Sequence, residues 1–452
     1  MNPLQTRRNP ALLVLLLATS FARAEADPPR AVLAANDVVE QALSYSLALR
    51  SSALDIRSAE ALKAQAAAAA RPTIQLEGSA LQFRGLEEQA LGPAIVIPEI
   101  PGRYQASISL AQPLYTGGEV GNRKRGAALR ADAARHADAA ARAAARFHAL
   151  AAYGTWSKAH HAIRSLEDAV KRMAAHADDV RNLREAGLAT ENDRLATDVL
   201  LDQTRLRLDE ARRREEIARA RIAFLTGRDV PPNAAPEDPA GRRSPTPEPE
   251  TALLDAAFSN RAERAAALLQ IAEAETAVRV ARAARKPHAY LRAQYETANP
   301  NPLFFPPEEE WNDDLFGGVV ATWDVFDSGL TAGRIAEAAA EVERARVRLQ
   351  QHDDAILLEV REAAADVRNA NDRMTVAQRA RESAERNLQA ATDLWQHGLG
   401  RHAEVLDAHA KLAETEYEWI AAQADARVAG AALDRAIGAP AARADPETHD
   451  EP

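Results

Sequence analysis

The amino-acid sequence predicts a mainly α-helical fold with two pairs of β-strands. Three observations predict it. A seven-residue apolar repeat runs through a long stretch of the C-terminal half, two pairs of segments alternate apolar and polar residues, and a set of glycines recurs at one fixed spacing.

Composition sets the frame. The 452 residues include no cysteine and only 5% aromatics, while Ala, Arg, Glu and Leu dominate the middle and the end. Such a chain packs narrow seams between helices and cannot fill a thick core. The net charge is −10, with both signs interspersed along the helical stretches. This describes a solvated surface laced with ion pairs. No basic stripe interleaved with aromatics occurs, so no nucleic-acid partner is expected.

The first residues read as an export signal. Arg7 and Arg8 precede the short apolar run Ala11 to Ala18, and Ala22-Arg23-Ala24 supplies a small-residue cleavage site. Residues 1–24 are therefore the expected signal peptide. Without cysteine, the exported chain has neither disulfides nor a lipidated cysteine at its new N-terminus. No later run approaches the ~18 apolar residues of a membrane helix, so entry into a membrane requires a β-barrel.

One plan is then written twice. Gly118 and Gly329, Gly187 and Gly398, and Gly227 and Gly438 are each 211 residues apart. Upstream, Ala42-Leu43-Ser44 matches Ala257-Phe258-Ser259, and Arg71-Pro72 matches Lys286-Pro287, at a spacing of 215. The change of spacing places an insertion in the first copy between Pro72 and Gly118. The expected organisation is a first structural repeat over 25–227, a Pro-rich linker over 228–250, a second repeat over 251–438 and a disordered acidic tail over 439–452.

Each copy reads helix, strand, loop, strand, long helix, break, helix. The opening helices are expected over 36–70, capped by Asn36, and over 251–285. In the first copy Ile74, Leu76, Gly78 and Ala80 alternate with polar neighbours, as do Tyr104, Ala106, Ile108 and Leu110. In the second copy the apolar series are Leu291, Ala293 and Tyr295, then Leu315, Val319, Ala321, Trp323 and Val325, with Phe316 and Val320 spoiling the polar side. Period-two alternation suits a barrel strand with lipid outside and water inside, and equally a half-buried soluble strand. Tyr104, Tyr290, Tyr295, Trp311 and Trp323 suit a bilayer interface or ordinary strand packing. The Pro-rich segments Gly85–Pro101 and Ala298–Trp311 are the expected external loops.

The long helices give the strongest local signal. Ile335, Val342, Leu349, Ile356, Ala363, Ala370, Ala377, Ala384 and Ala391 repeat at seven, beside Val360, Val367, Met374, Leu388 and Trp395. After Gly333, neither glycine nor proline interrupts this pattern until Gly398. Helices are expected over 119–185 and 330–396, each roughly 100 Å long. Gly187-Leu188 and Gly398-Leu399 break them, and helices return over 191–226 and 402–437, so each break is the tip of a hairpin.

Signal, doubled order, strand pairs, Gln112-Pro113-Leu114-Tyr115 followed by Gly117-Gly118, the tips Glu185-Ala186-Gly187-Leu188-Ala189 and His397-Gly398-Leu399-Gly400, and Glu404-Val405-Leu406-Asp407-Ala408 together resemble the TolC-type outer-membrane efflux protein family. The resemblance covers nearly all of the chain after the signal, with a slightly shorter second tip. It implies a long α-helical coiled-coil barrel continuous with a trimeric 12-stranded β-barrel, four strands coming from each protomer. It implies a homotrimer seated in outer-membrane lipid with a long periplasmic part. Its tips would dock a periplasmic adaptor protein, and through it an inner-membrane pump. The chain would then be the passive exit duct of a tripartite efflux pump or type I secretion system, with the pump choosing the cargo.

The resemblance also suggests that Glu404 and Asp407, three apart on one face of the returning helix, form acidic rings at the pore entrance. The alternative is that first-turn carboxylates merely complement the helix dipole. Gly187 and Gly398 terminate helices, and Leu188, Leu399 and Arg401 are candidates for seating the adaptor. No enzymatic site and no cofactor or metal are expected. His148, His160, His161 and His176 lie amid Ala and Arg as solvated helix histidines, without an H-E-x-x-H pattern. A periplasmic coiled-coil adaptor or scaffold is the competing reading, but such proteins have one helical hairpin beside compact β domains.

Overall fold

The computed structural model describes residues 32–84, 89–91, 95–97, 100, 102–238, 243–305 and 308–439. The expected signal peptide and nearly all of the expected tail lie outside the described residues. The chain runs β1 (Val32–Leu33), α1 (Ala35–Tyr45), α2 (Leu47–Ala68), β2 (Thr73–Gln82), β3 (Gln89–Leu91), β4 (Ile95–Ile97), β5 (Gly102–Tyr115), α3 (Glu119–Glu185) and α4 (Glu191–Thr226). It continues with β6 (Ala235–Pro236), α5 (Glu250–Asn260), α6 (Ala262–Ala283), β7 (His288–Asn299), β8 (Asn312–Thr322), α7 (Leu330–Gln396) and α8 (His402–Ala436).

The seven-residue repeat of α7 is the seam along which it packs. Val342, Ile356, Val360, Ala363, Val367, Ala370, Met374, Ala377 and Ala384 are all buried. The middle of this row meets Ala422, Ala426, Ala429 and Leu433 of α8 and Leu253 and Ala257 of α5. In the first copy Val38, Ala152, Tyr153, Trp156, Ala218 and Ile222 form the corresponding centre between α1, α3 and α4. The contacts order the long elements side by side. Toward the hairpin tips the order is α4, α3, α8, α7, and toward the sheet it is α2, α3, α6, α7. One edge of this wall is therefore α7 alone, and the opposite edge is α2 and α4.

The main sheet is antiparallel in the order β2-β5-β7-β8, so the two strand pairs meet at β5 and β7. Register aligns Leu76, Ile108, Tyr295 and Leu315 across all four strands on one face, and all four are exposed. The neighbouring row on the other face aligns Glu77, Ser107, Glu296 and Asp314. Phe316 pairs with Gln294 on the polar face, an exception already legible in the sequence.

Two expectations about the opening helices need correction. Each is two helices, broken at Ser46 and at Arg261, positions 215 residues apart. At Ser46 the hydroxyl accepts from the Leu49 N–H at 3.4 Å and starts a new helix. At Arg261 the buried guanidinium donates to Glu359 at 2.5 Å and to the Ala436 carbonyl at 3.2 Å, holding an extended residue between two helices. The first helix also begins before Asn36. Ala34 is the N-cap, and its N–H donates to Asp37 Oδ2 at 3.3 Å. The segment 85–101 contains the short hairpin β3–β4.

The Pro-rich linker is a strap. β6 pairs in parallel with β1, Arg219 donates to the carbonyls of Pro231, Pro232 and Ala234, and Ser244 Oγ donates to the Ala426 carbonyl at 2.7 Å. The first repeat ends against this belt at Gly227, whose φ is +68° and whose missing Cβ would run into the Tyr45 ring. Gly227→Ala is expected to cost about 1–2 kcal/mol for the left-handed backbone and about 1–3 kcal/mol more for displacing the ring. Urea unfolding of the variant checks this.

Candidate functional site: the hairpin tips

Both tips are built alike because the sequence gives each the same helix stop. Gly187 and Gly398 have φ of +76° and +74°. The Leu188 N–H donates to the Leu183 carbonyl and the Leu399 N–H to the Leu394 carbonyl, each at 2.8 Å. The Gly187 and Gly398 N–H groups donate to the Arg184 and Trp395 carbonyls, each at 2.9 Å. These are the paired bonds of a Schellman stop, which satisfies the last carbonyls of the long helix. No atom lies within 4 Å of a Cβ added at either glycine, so the requirement for glycine is purely one of backbone conformation.

The leucines that follow are the most protruding apolar groups of the tips. Leu188 is 77% and Leu399 78% exposed. Three residues beyond each glycine the return helix starts with a different cap. Thr190 Oγ1 accepts from the Asp193 N–H at 3.2 Å, and Asp193 accepts from the Thr190 N–H at 2.9 Å. Arg401 stands in the equivalent place in the second copy and has no acceptor to offer. Its guanidinium instead donates to Glu404 at 2.9–3.0 Å, and its N–H donates to Glu404 Oε2 at 3.4 Å.

Arg401 and Glu404 are thus brought together, and Asp407 stands apart. Hydrogen bonds from the Arg401 side chain and backbone hold the Glu404 carboxyl below its ordinary 4.5. Glu404 therefore caps the start of α8, and its charge is compensated locally by Arg401. Asp407 is exposed one turn further along α8. Asp193 occupies the place of Glu404 in the first copy, and its carboxyl is likewise lowered, chiefly by the Thr190 hydroxyl.

The histidines depart from the sequence reading. His148 is exposed. His160, however, bonds Glu215 at 2.9 Å, and His161 and His176 are buried. His176 is enclosed because Trp395, His402 and His409 surround it, each ring centre 5.2–5.3 Å away. Residues from α3, α7 and α8 meet there, a convergence that local spacing in the sequence does not show. Among the described residues no group of His, Asp or Glu side chains is placed to hold a metal ion, and no helix is long and apolar enough to cross a membrane.

Two helical hairpins continuous with a four-stranded, open-edged sheet, in two repeats of one plan, define the fold of outer-membrane channel proteins. The chain belongs to the outer membrane efflux protein family, whose profile matches residues 38–228 and 253–439. No curated protein matches it in sequence. Among solved structures it resembles CusC, with 19% identity over 89% of this chain and 92% of that one and a TM-score of 0.77. A membrane protein from Pseudomonas aeruginosa matches with 21% identity, the same coverages and a TM-score of 0.77. The outer membrane protein VceC from Vibrio cholerae matches with 19% identity, coverages of 89% and 96%, and a TM-score of 0.73.

Gly187→Ala and Gly398→Ala are each expected to cost about 1–2 kcal/mol, from the left-handed backbone alone. The damage should stay at the tips, visible as faster amide hydrogen exchange around 183–190 or 394–401 with unchanged exchange in α3 and α7 beyond their last turns.

Proposed function

We propose that three copies of the chain join edge to edge in the outer membrane, forming the passive exit duct of a tripartite efflux pump or type I secretion system. The observation that carries this is the sheet. Among the described residues β2 and β8 each have one neighbour only, so two rows of backbone donors and acceptors lie open beside an exposed apolar face. In lipid each unpaired group costs several kcal/mol, and only closure into a barrel removes the edges. Three copies of four strands give the 12-stranded barrel that the family resemblance implies. Leu76, Ile108, Tyr295 and Leu315 would face lipid, with exposed Trp311 and Trp323 near the two ends of the strands.

The helices support the same joint. On α7, Val347, Leu358, Val376 and Leu394 are exposed at spacings of 11 and 18, which return to one face of a helix. On α4, at the opposite edge of the wall, Leu195, Val199, Leu206, Ile217 and Phe224 form an exposed apolar stripe. Two different edges meeting head to tail make a ring when the rotation closes. The tips then gather at the periplasmic end, where Leu188, Leu399 and Arg401 offer apolar and basic contacts to an adaptor protein. Neither a nucleotide-binding motif nor a catalytic motif occurs in the sequence, so the driving energy comes from the partner pump.

Extraction and cross-linking test the assembly. The protein should require detergent for release from outer membranes and cross-link to a trimer. Phe224→Asp or Val376→Asp should lower trimer yield by tenfold or more, on the order of the 1.4 kcal/mol or above that a charge at an apolar seam costs. A monodisperse soluble monomer in the periplasm would sink the proposal.

The entrance is tested separately. Since Arg401 compensates Glu404, Asp407 is the carboxylate with the larger field at the pore mouth. Asp407→Asn should weaken cation selectivity and block by multivalent cations in planar-bilayer recordings more than Glu404→Gln does. Arg401→Gln should strengthen both. Selectivity unchanged in all three variants, with normal trimer yield, returns these side chains to helix capping alone.

A further inference from the structure

Just inside the tips, all four long helices contribute to one buried cluster. α3 supplies His176, α7 Trp395, α8 His402 and His409, and α4 Thr197. His176 and His402 stack at 5.2 Å with their planes 19° apart. Both are less than one-tenth exposed. Met173, Ala177, Leu201 and Leu406 pack beside them, so the cluster belongs to the apolar contact between the two hairpins.

The hydrogen bonds fix its protonation chemistry. Thr197 Oγ1 donates to the Asp193 carbonyl at 2.7 Å. It therefore receives the 2.9 Å bond from His402, whose Nε2 must carry the hydrogen. His402 Nδ1 is then a bare lone pair, and both it and His176 Nε2 are buried without a partner. A proton added at either atom creates a charged donor with no acceptor.

The charged neighbours compensate it only in part, through Asp193 beside His402. On α3, Arg172 is itself a cation. It and Ser165 engage Glu416 of α8, each at 2.9 Å. On α4, Asp193 is tied into the Thr190 cap and its charge still favours a proton on His402, and Arg207 lines the small cavity beside His409. α7 faces the cluster with Trp395. Glu416 is thus committed, Asp193 acts on His402 alone, and the charged groups that act on His176 and His409 are imidazoles and Arg172.

We propose that the His176–His402–His409 cluster is an acid-sensitive latch that holds the two hairpins together at neutral pH and releases them in acid. Burial first, then the neighbouring cations and imidazoles, lowers His176 and His409 from the ordinary 6.5 to about 4, and burial, partly opposed by Asp193, lowers His402 as well. With the hairpins apart the imidazoles are solvated and titrate near 6.5. The closed contact is therefore fully favoured above that pH and loses stability as pH falls from about 6.5 to about 4. At pH 5 each of the two histidines favours separation on the order of tenfold or more. The latch is a property of the hairpins within one chain. Its effect on passage rests on the duct reading, so the test reads the hairpins directly.

The chain has no native cysteine, so spin labels at Leu188→Cys and Leu399→Cys report the separation of the two tips. Labelled full-length protein is mixed with an excess of unlabelled protein so that within-chain distances dominate. Pulsed electron-spin distance measurement from pH 8 to pH 4 should show the tips moving apart, with its midpoint inside the window above. His176→Gln with His409→Gln should leave only the weaker response of His402, a smaller movement than in the wild type. His409→Gln alone, at the margin of the cluster, should make the transition less steep. A wild-type distance that stays constant down to pH 4 overturns the latch whatever the variants do, and so does a transition that persists unchanged in the double variant. Bilayer conductance measured alongside separates a failed latch from a failed duct.

Discussion

Alanine at the helix seams is the constraint on which the rest of the structure depends. Ala363, Ala370, Ala377 and Ala384 are buried one heptad apart on α7, and the middle of the row faces Ala422, Ala426 and Ala429 of α8. So small a side chain lets helices approach closely and leaves nothing to fill a third layer. A wall one helix thick follows, with water on both faces wherever no neighbour covers it. Each alanine buries little area, at roughly 25 cal/mol per Å². Cohesion must therefore be spread along great length, and long helices are the physical answer to a small side chain. Such a wall also has two lateral edges, and the sheet shares them, because β8 runs into α7 and α2 runs into β2.

Much of this was legible in the sequence because helix ends carry chemistry that stands out. Gly118, Gly187, Gly227, Gly329, Gly398 and Gly438 all have positive φ, and each marks a boundary where only glycine is at ease. The long helices accordingly begin and end where the glycines put them. The breaks at Ser46 and Arg261 were not legible. Neither residue is a helix breaker, and the break at Arg261 is held by Glu359 and the Ala436 carbonyl, far away in the chain. One signal was available: both breaks fall at the same spacing as the Arg71-Pro72 and Lys286-Pro287 match.

The tips divide in the same way. The contact between Arg401 and Glu404 lies within one helical turn and could be read from order alone. The histidine cluster joins residue 176 to residues 402 and 409, and nothing local distinguishes those histidines from solvated ones. Only the folding of one repeat against the other makes them a unit. This is the general limit of reading a duplicated chain, where the pattern within a copy is plain and the chemistry between copies is hidden.

α3 and α7 are each 67 residues long. Equal length acts as a ruler used twice, setting the same distance from sheet to tip in both halves of the chain. Inserting one residue in either helix would push its tip outward by about 1.5 Å and turn every residue beyond by about 100°, out of the seam. Length can therefore change in evolution only by steps that restore the face, such as seven or eleven residues, and only when both copies take the same step. A history of duplication thus persists as a mechanical tolerance on which insertions the chain can accept.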